Sequence, residues 1–292
     1  MEISALTKQY KSVTAVNRLN LRVEKGQVFG ILGPNGSGKT TTLGMVLGVI
    51  HPTSGSFSWF GSGTGHQARL RVGSLLETPN FYPGLSARRN LRIVAEIKRI
   101  EDPRIDEALE KVGLLQRAES PFKSFSLGMK QRLAIGAALL GSPEVLVLDE
   151  PTNGLDPQGI AEIRLLVRSL SEQGITIILA SHLLDEVQKV CTDVCILRKG
   201  HLLYNGNLLT SGSDHYYMEI SGEHMDELAS LCSTHPGISK VEREEKKLVM
   251  DVERSYTVED IHRFLIEKGI VLTSLASYSI DLENKYLEII KE

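Results

Sequence analysis

The stretch Gly33-Pro34-Asn35-Gly36-Ser37-Gly38-Lys39-Thr40 follows directly on the apolar run Val28-Phe29-Gly30-Ile31-Leu32 and leads into a helical pattern from Thr40 to Val49. A strand that feeds a glycine-rich turn and then a helix must fold the helix back onto a sheet, which is the unit of a parallel α/β architecture. That restricts the fold before anything else is read. The glycines let several backbone N–H groups converge at a helix N-terminus, where an anion is favoured. Lys39 adds a cation and Thr40 a hydroxyl, so the turn has the make-up of a phosphate-binding loop.

Apolar runs of the same kind return at Val145 to Leu148, Ile175 to Ala180 and Val194 to Leu197, with a helical stretch from about Gln158 to Glu172. Runs that are apolar at every position suit strands covered on both faces, as in a parallel sheet flanked by helices. Upstream, Met1 to Leu6 and the alternating Leu19, Leu21 and Val23 read as antiparallel strands, with turns expected at Asn17-Arg18, Lys25-Gly26 and Pro52-Thr53-Ser54-Gly55. Between Pro79 and Leu140 the period becomes helical, carried by Leu91, Val94 and Ile97 and then by Ile105, Ala108, Leu109 and Val112. This reads as a helical insertion, about 79–140, in an α/β domain of residues 1–210.

After a hairpin at Lys199-Gly200 leading into His201 to Tyr204, the turn-rich Asn205-Gly206-Asn207 and Ser211-Gly212-Ser213-Asp214 read as a linker. Residues 211–292 then give strand (Tyr216 to Ile220), helix (Met225 to Cys232), strand (Ile238 to Glu242), strand (Lys247 to Val252), helix (Val258 to Glu267), strand (Val271 to Leu275) and a last helix (Asp281 to Ile290). The order βαββαβ is that of a ferredoxin-like α+β domain. It carries no motif of catalytic type.

Composition narrows the function. The 33 Lys and Arg against 36 Asp and Glu leave a formal charge of -3, without the basic excess of a nucleic-acid binder, so no nucleic-acid partner is expected. Apolar runs such as Ile175 to Ala180 are of strand length, far short of the roughly 20 residues that cross a bilayer. Met1-Glu2-Ile3-Ser4 lacks the charged and apolar regions of a signal peptide. A cytoplasmic location is expected, with any membrane role reached through a separate partner. Cys191, Cys195 and Cys232 are too few for a disulfide framework and lack the companions of a metal site, so they read as buried thiols.

Two further stretches carry chemistry. Asp149 and Glu150 close the Val145–Leu148 run, where Asp149 can face a Mg²⁺ ion across the phosphate loop and Glu150 can polarise an attacking water. In Ser126-Leu127-Gly128-Met129-Lys130-Gln131-Arg132, Ser126 suits a helix N-cap, and Gly128 allows a phosphate close to that helix N-terminus. Phosphate loop, Ser-x-Gly helix start and a strand ending in two acids, in that order from Met1 to about Gly206, resemble the ATP-binding cassette (ABC) ATPases. The resemblance implies a P-loop cassette with a RecA-like parallel core, an N-terminal antiparallel β subdomain and a helical insertion. It also implies an ATP hydrolase that uses Mg²⁺. ATP is then held by Gly33, Pro34, Asn35, Gly36, Ser37, Gly38, Lys39, Thr40 and Thr41, with Tyr10 stacked on the adenine. Thr40, Glu77 and Asp149 hold the metal, and Glu150 is the base. His182, in Ala180-Ser181-His182, matches the family's switch histidine on the γ-phosphate. Asn153-Gly154-Leu155-Asp156 matches the D-loop that crosses a dimer interface. Ser126 and Gly128 act on the ATP of a second copy packed head to tail.

Two departures from the family pattern are visible. The usual Leu-Ser-Gly-Gly-Gln is Phe125-Ser126-Leu127-Gly128-Met129 here, and Glu77 stands where most members carry the Q-loop glutamine that helps hold Mg²⁺. Both departures, with Glu77-Thr78-Pro79-Asn80-Phe81-Tyr82-Pro83-Gly84-Leu85, are similar to the exporter subunits of bacitracin and lantibiotic self-protection. That subgroup implies an ATPase on the inner face of the cell membrane, attached to separate transmembrane permease subunits that export a peptide antibiotic, drug or lipid. Phe81, Tyr82 and Leu85 read either as anchors for that membrane partner or as core residues of the insertion. A soluble ABC ATPase of DNA repair or translation is the alternative; such chains carry long coiled coils or two cassettes, and neither pattern occurs here.

Overall fold

The computed structural model describes residues 1–61, 65–76, 79–207, 215–222, 225–244, 247–253, 255–279 and 286. It divides into two compact units, residues 1–207 and 208–292.

In the first unit, β1 (Glu2–Tyr10) and β2 (Val13–Arg22) form a hairpin. The buried β3 (Val28–Leu32) runs into α1 (Lys39–Val46), and β4 (Ser54–Ser58) returns to pair with β1. The order β2-β1-β4 is the expected antiparallel layer. The turn expected at Asn17-Arg18 is instead an irregularity inside β2, where Arg18 takes φ 46° and the register to β1 shifts. A bulge of this kind bends a strand without ending it. Ser54 and Gly55, expected in a turn, open β4, where Ser54 pairs with Thr7 of β1 and Gly55 falls at an irregularity of the ladder.

Next come α2 (His66–Leu70) and β5 (Val72–Leu75), then the insertion with α3 (Ala87–Ile97), α4 (Ile105–Lys111) and α5 (Leu127–Leu139). Of the apolar series on α3, Leu91 is buried and Val94 half-buried, but Ile97 is 76% exposed. The stripe that packs is Ala87, Leu91 and Ala95, a stricter four-residue spacing. The chain continues through β6 (Val145–Asp149), α6 (Pro157–Glu172), β7 (Thr176–Ser181), α7 (Leu184–Val190), β8 (Asp193–Arg198) and β9 (His201–Asn207). The six-stranded sheet has the order β5-β6-β7-β3-β8-β9, parallel except for β9. Its core joins sheet residues such as Phe29, Ile31, Val147 and Ile178 to Leu43 and Met45 of α1 and to the buried Trp59. The Trp59 indole N–H donates to the Val46 carbonyl at 2.8 Å, which fixes the end of the phosphate-loop helix.

The second unit consists of β10 (His215–Gly222), α8 (Met225–Cys232), β11 (Ile238–Glu244), β12 (Lys247–Glu253), α9 (Val258–Glu267) and β13 (Leu272–Ser279). All pairs are antiparallel in the order β11-β12-β10-β13, the split-βαβ arrangement. Met218 and Ile220 face Met250 and Leu248 across the β10–β12 ladder, and these residues pack on Leu228, Ile261 and Leu265 of the helices. Of the helix expected over Asp281 to Ile290 only Tyr286 is among the described residues, and it is helical.

Candidate functional site

Three adjacent strands of the parallel sheet deliver the chemical groups to one edge. In the register, Leu32 lies beside Ser181 and Asp149 beside Ala180, so the residues that follow each strand emerge together. Carboxyl ends of neighbouring parallel strands are where open α/β sheets bind ligands. Two hydrogen bonds continue the pairing past the strands, Gly33 N–H to Ser181 O at 3.3 Å and Glu150 N–H to Ala180 O at 2.9 Å. Gly33 admits no side chain, since a Cβ there would lie 2.3 Å from the Leu197 carbonyl oxygen. Gly38, at φ 106°, brings the loop against β2, where a Cβ would meet the Ala15 carbonyl at 2.5 Å.

The loop wraps its own lysine. Lys39, 5% exposed, donates from Nζ to the Gly33 carbonyl at 2.7 Å and the Pro34 carbonyl at 3.3 Å. Its ammonium also lies 3.3 Å from Glu150 Oε1. The second oxygen of Glu150 is 2.8 Å from His182 Nδ1, and since a carboxylate only accepts, that ring nitrogen carries the proton. Glu150 takes φ 47°, a left-handed backbone that side-chain-bearing residues rarely adopt, and this turns its carboxylate toward both neighbours. Lys39, Glu150 and His182, far apart in sequence, thus form one cation–carboxylate–imidazole chain at the mouth of the loop.

The other loop residues frame this cluster. Ser37 is buried, Gly33 and Gly38 line the turn, and Pro34, Asn35 and Gly36 form its outer rim. Thr40 is exposed and Thr41 half-buried in the first turn of α1, while Asp149 is 3% exposed at the end of β6. Among the described residues no group of three or more His, Cys, Asp or Glu could hold a metal. Glu77 lies outside the described residues.

Ser126 and Gly128 belong to a second depression, of about 490 Å³, shared with Arg132, Gly154, Leu155, Asp156, Gly159 and Glu162. Two helix N-termini converge on it. Ser126 caps α5, its hydroxyl accepting from the Met129 N–H at 3.2 Å, and the Asp156 carboxylate caps α6 by accepting from the Gly159 N–H at 2.8 Å. Leu127 reaches over Gly154, where a Cβ would lie 3.3 Å from its Cδ2. Tyr10 is 46% exposed at the end of β1.

The Phe81–Leu85 segment divides between its two readings. Phe81 packs edge-on against Phe122 at 5.2 Å between ring centroids, whereas Tyr82 is 61% exposed. Asn90, 1% exposed on α3, holds the segment: its carbonyl accepts from the Tyr82 N–H at 2.9 Å and its amide donates to the carbonyls of Tyr82, Leu85 and Ser86. Sequence reading missed Asn90, although an Asn among apolar positions of a helix is a visible sign of such a role. It also missed Lys98, whose Nζ donates to the Ala137 carbonyl at 3.1 Å and so ties α3 to α5. Burial holds the Lys98 ammonium below the usual lysine range. All three cysteines are buried, and burial pushes each thiol upward, Cys232 to about 11.

Comparison with known proteins bears on this geometry. A family model described as ABC transporter matches residues 16–153. The chain is 38% identical over 296 aligned residues to the bacitracin transport ATP-binding protein BcrA of Bacillus licheniformis, covering 98% of this chain and 95% of that one. It is 39% identical to the lantibiotic transport ATP-binding protein SrtF of Streptococcus pyogenes, over 70% of this chain and 89% of the relative. Among solved structures, a cassette described as a dimeric post-hydrolysis state bound to ADP and Pi superposes with a TM-score of 0.62 at 25% identity, covering 71% of this chain and 98% of that one.

Proposed function

The chain belongs to the ABC transporter ATP-binding family, and from that premise we propose that it is the ATP-hydrolysing subunit of an exporter whose cargo is a peptide antibiotic of the bacitracin or lantibiotic kind. The 38% identity to a bacitracin transport ATP-binding protein over 98% of the chain carries this reading. The chain binds and hydrolyses ATP. It has no described helix long and apolar enough to cross a membrane. In the proposed assembly two copies pack head to tail on the cytoplasmic face of separately encoded permease subunits, and export of a drug or lipid is the rival cargo class. The soluble repair or translation ATPase is not favoured.

In the proposed mechanism, Gly33 to Thr41 surround the triphosphate with backbone N–H groups, and Lys39 turns from its own loop carbonyls to the β- and γ-phosphates. Glu150 takes a proton from the water whose oxygen attacks the γ-phosphorus as the bond to ADP breaks. His182, held through Nδ1 by Glu150, faces the γ-phosphate with the rest of its ring. Thr40 and Asp149 supply hard oxygens of the kind Mg²⁺ takes, in the small number it needs when phosphates complete its shell. Bound there, Mg²⁺ would neutralise phosphate charge. Ser126 and Gly128, on a depression separate from the Lys39 cluster, would close over the partner copy's ATP, with Asp156 at the crossing.

The expected result for Glu150→Gln is ATP binding with turnover lowered about 10²- to 10⁴-fold, the range of a lost general base, and accumulation of an ATP-bound dimer in light scattering. Near-normal turnover would remove Glu150 from its role. For the cargo, cells lacking the chain should become more sensitive to bacitracin-type or lantibiotic peptides, and the Glu150→Gln variant should fail to restore resistance. Unchanged sensitivity would exclude peptide antibiotics.

A further inference from the structure

Lys8 and Tyr10 stand two residues apart on β1 and therefore point to the same side of the strand. The Lys8 ammonium lies over the Tyr10 ring, 4.8 Å from its centroid. The same Nζ donates to the His51 carbonyl at 2.8 Å, in the segment that follows α1. That segment is itself tied to β1, by Thr53 N–H to the Thr7 carbonyl at 2.8 Å and by Gln9 N–H to the Thr53 hydroxyl at 3.0 Å. One ammonium thus links the aromatic ring to the chain leaving the phosphate-loop helix. Tyr10 pairs with Val13, two residues before Ala15, whose carbonyl abuts Gly38.

We propose that Lys8 is a positioning residue for nucleotide binding: it occupies one face of Tyr10, fixes the ring to the segment that follows the phosphate-loop helix, and leaves the other face as a rigid platform for the adenine base. This rests on the adenine-stacking role that the family resemblance implies for Tyr10. A cation on a ring face is held by the ring's quadrupole. Because Lys8 is already anchored on a backbone carbonyl, the ring loses less freedom when a base stacks on it, and preorganisation of this kind appears as affinity. Stacking tolerates any base, so the platform supplies affinity while the phosphate loop supplies position.

The test is the steady-state ATPase of the full chain in its native assembly. Lys8→Met keeps the alkyl stem and removes the charge; it should raise KM for ATP about two- to fivefold, the worth of an exposed cation–π contact, with kcat within about twofold. Lys8→Arg, which can still cover the ring and reach the His51 carbonyl, should restore KM. Inhibition by inorganic tripolyphosphate, which has no base to stack, should be the same in Lys8→Met as in the unaltered chain. In a Tyr10→Ala background, Lys8→Met should raise KM no further. If Tyr10→Ala raises KM but Lys8→Met does not, the proposal fails while the adenine reading stands. If Tyr10→Ala leaves KM unchanged, the adenine reading fails and takes the proposal with it. Additive effects, a fall in kcat matching the rise in KM, or a change in tripolyphosphate inhibition would also overturn it, since Lys8 would then act on something other than the ring.

Discussion

Glu150 combines two features that oppose each other. Its φ of 47° costs stability for a residue with a side chain, of order 1–3 kcal/mol. The contacts that repay this are to Lys39 at 3.3 Å and His182 at 2.8 Å. In this arrangement the lysine proposed to meet phosphate is occupied by the proposed general base and by its own loop. ATP must therefore displace a carboxylate from Lys39 as it binds. Glu150→Gln should then bind ATP about two- to fivefold more tightly than the unaltered chain, the scale of one modest ion pair that no longer competes, measured as Kd by calorimetry in the absence of turnover. A weaker Kd would mean that the Lys39 contact does not oppose binding. The places of Lys39, Glu150 and His182 just beyond apolar strands were legible in the sequence. Their contacts were not, since which strands are neighbours depends on the sheet order β6-β7-β3.

Among elements, legibility followed the clarity of the burial pattern. β12 alternates buried Leu248, Met250 and Val252 with half-buried neighbours, and the whole βαββαβ order of the second unit could be read from such signals. β5 (Val-Gly-Ser-Leu) and α7 could not, because their few apolar residues become strand or helix only through tertiary partners: β5 by pairing with β6, and α7 by packing on β3 and α6. The Phe81–Ser86 loop is a further case, since Asn90 supplies through one side chain the partners that a regular element would find in a ladder. Asn90→Ala would leave the part-buried Tyr82 N–H without its partner, while the carbonyls of Tyr82, Leu85 and Ser86 keep backbone donors, so the loss should be about 1 kcal/mol. In denaturant unfolding the midpoint should fall accordingly, and amide exchange at Tyr82 should rise well beyond that at α5. A midpoint within error of the unaltered chain would show that water satisfies the loop equally well.

At the scale of the whole chain, two separate cores imply two stabilities that need not respond alike to pH. In the second unit His235 is 8% exposed, packed edge-on against Tyr256 and Phe264 at 5.0 and 4.7 Å, and its Nδ1 accepts the Gly237 N–H at 3.1 Å. Burial holds its proton affinity below the ordinary value, with the nearby Asp260 opposing this. The unfolded chain, with a histidine pKa of about 6.5, therefore binds a proton that the folded unit resists, so stability is fully present above about pH 6.5 and is lost as pH falls below it. Asp260 is shifted downward chiefly by the Thr257 N–H and hydroxyl; its contribution is present above about pH 3.9 and fades only in stronger acid, outside this window. The chain provides a reporter for each unit. Trp59, the single tryptophan, lies in the first core, and Cys232, with its thiol raised to about 11, lies in the second. Moving from about pH 7.5 to about pH 5.5 should lower the denaturant midpoint for labelling of Cys232 by an acid-tolerant disulfide reagent, mapped by peptide, more than the midpoint for Trp59 fluorescence. His235→Gln should abolish that difference. Equal shifts at both reporters, or a difference that survives His235→Gln, would mean that another group sets the acid response and that the His235 ring does not govern the stability of the second unit.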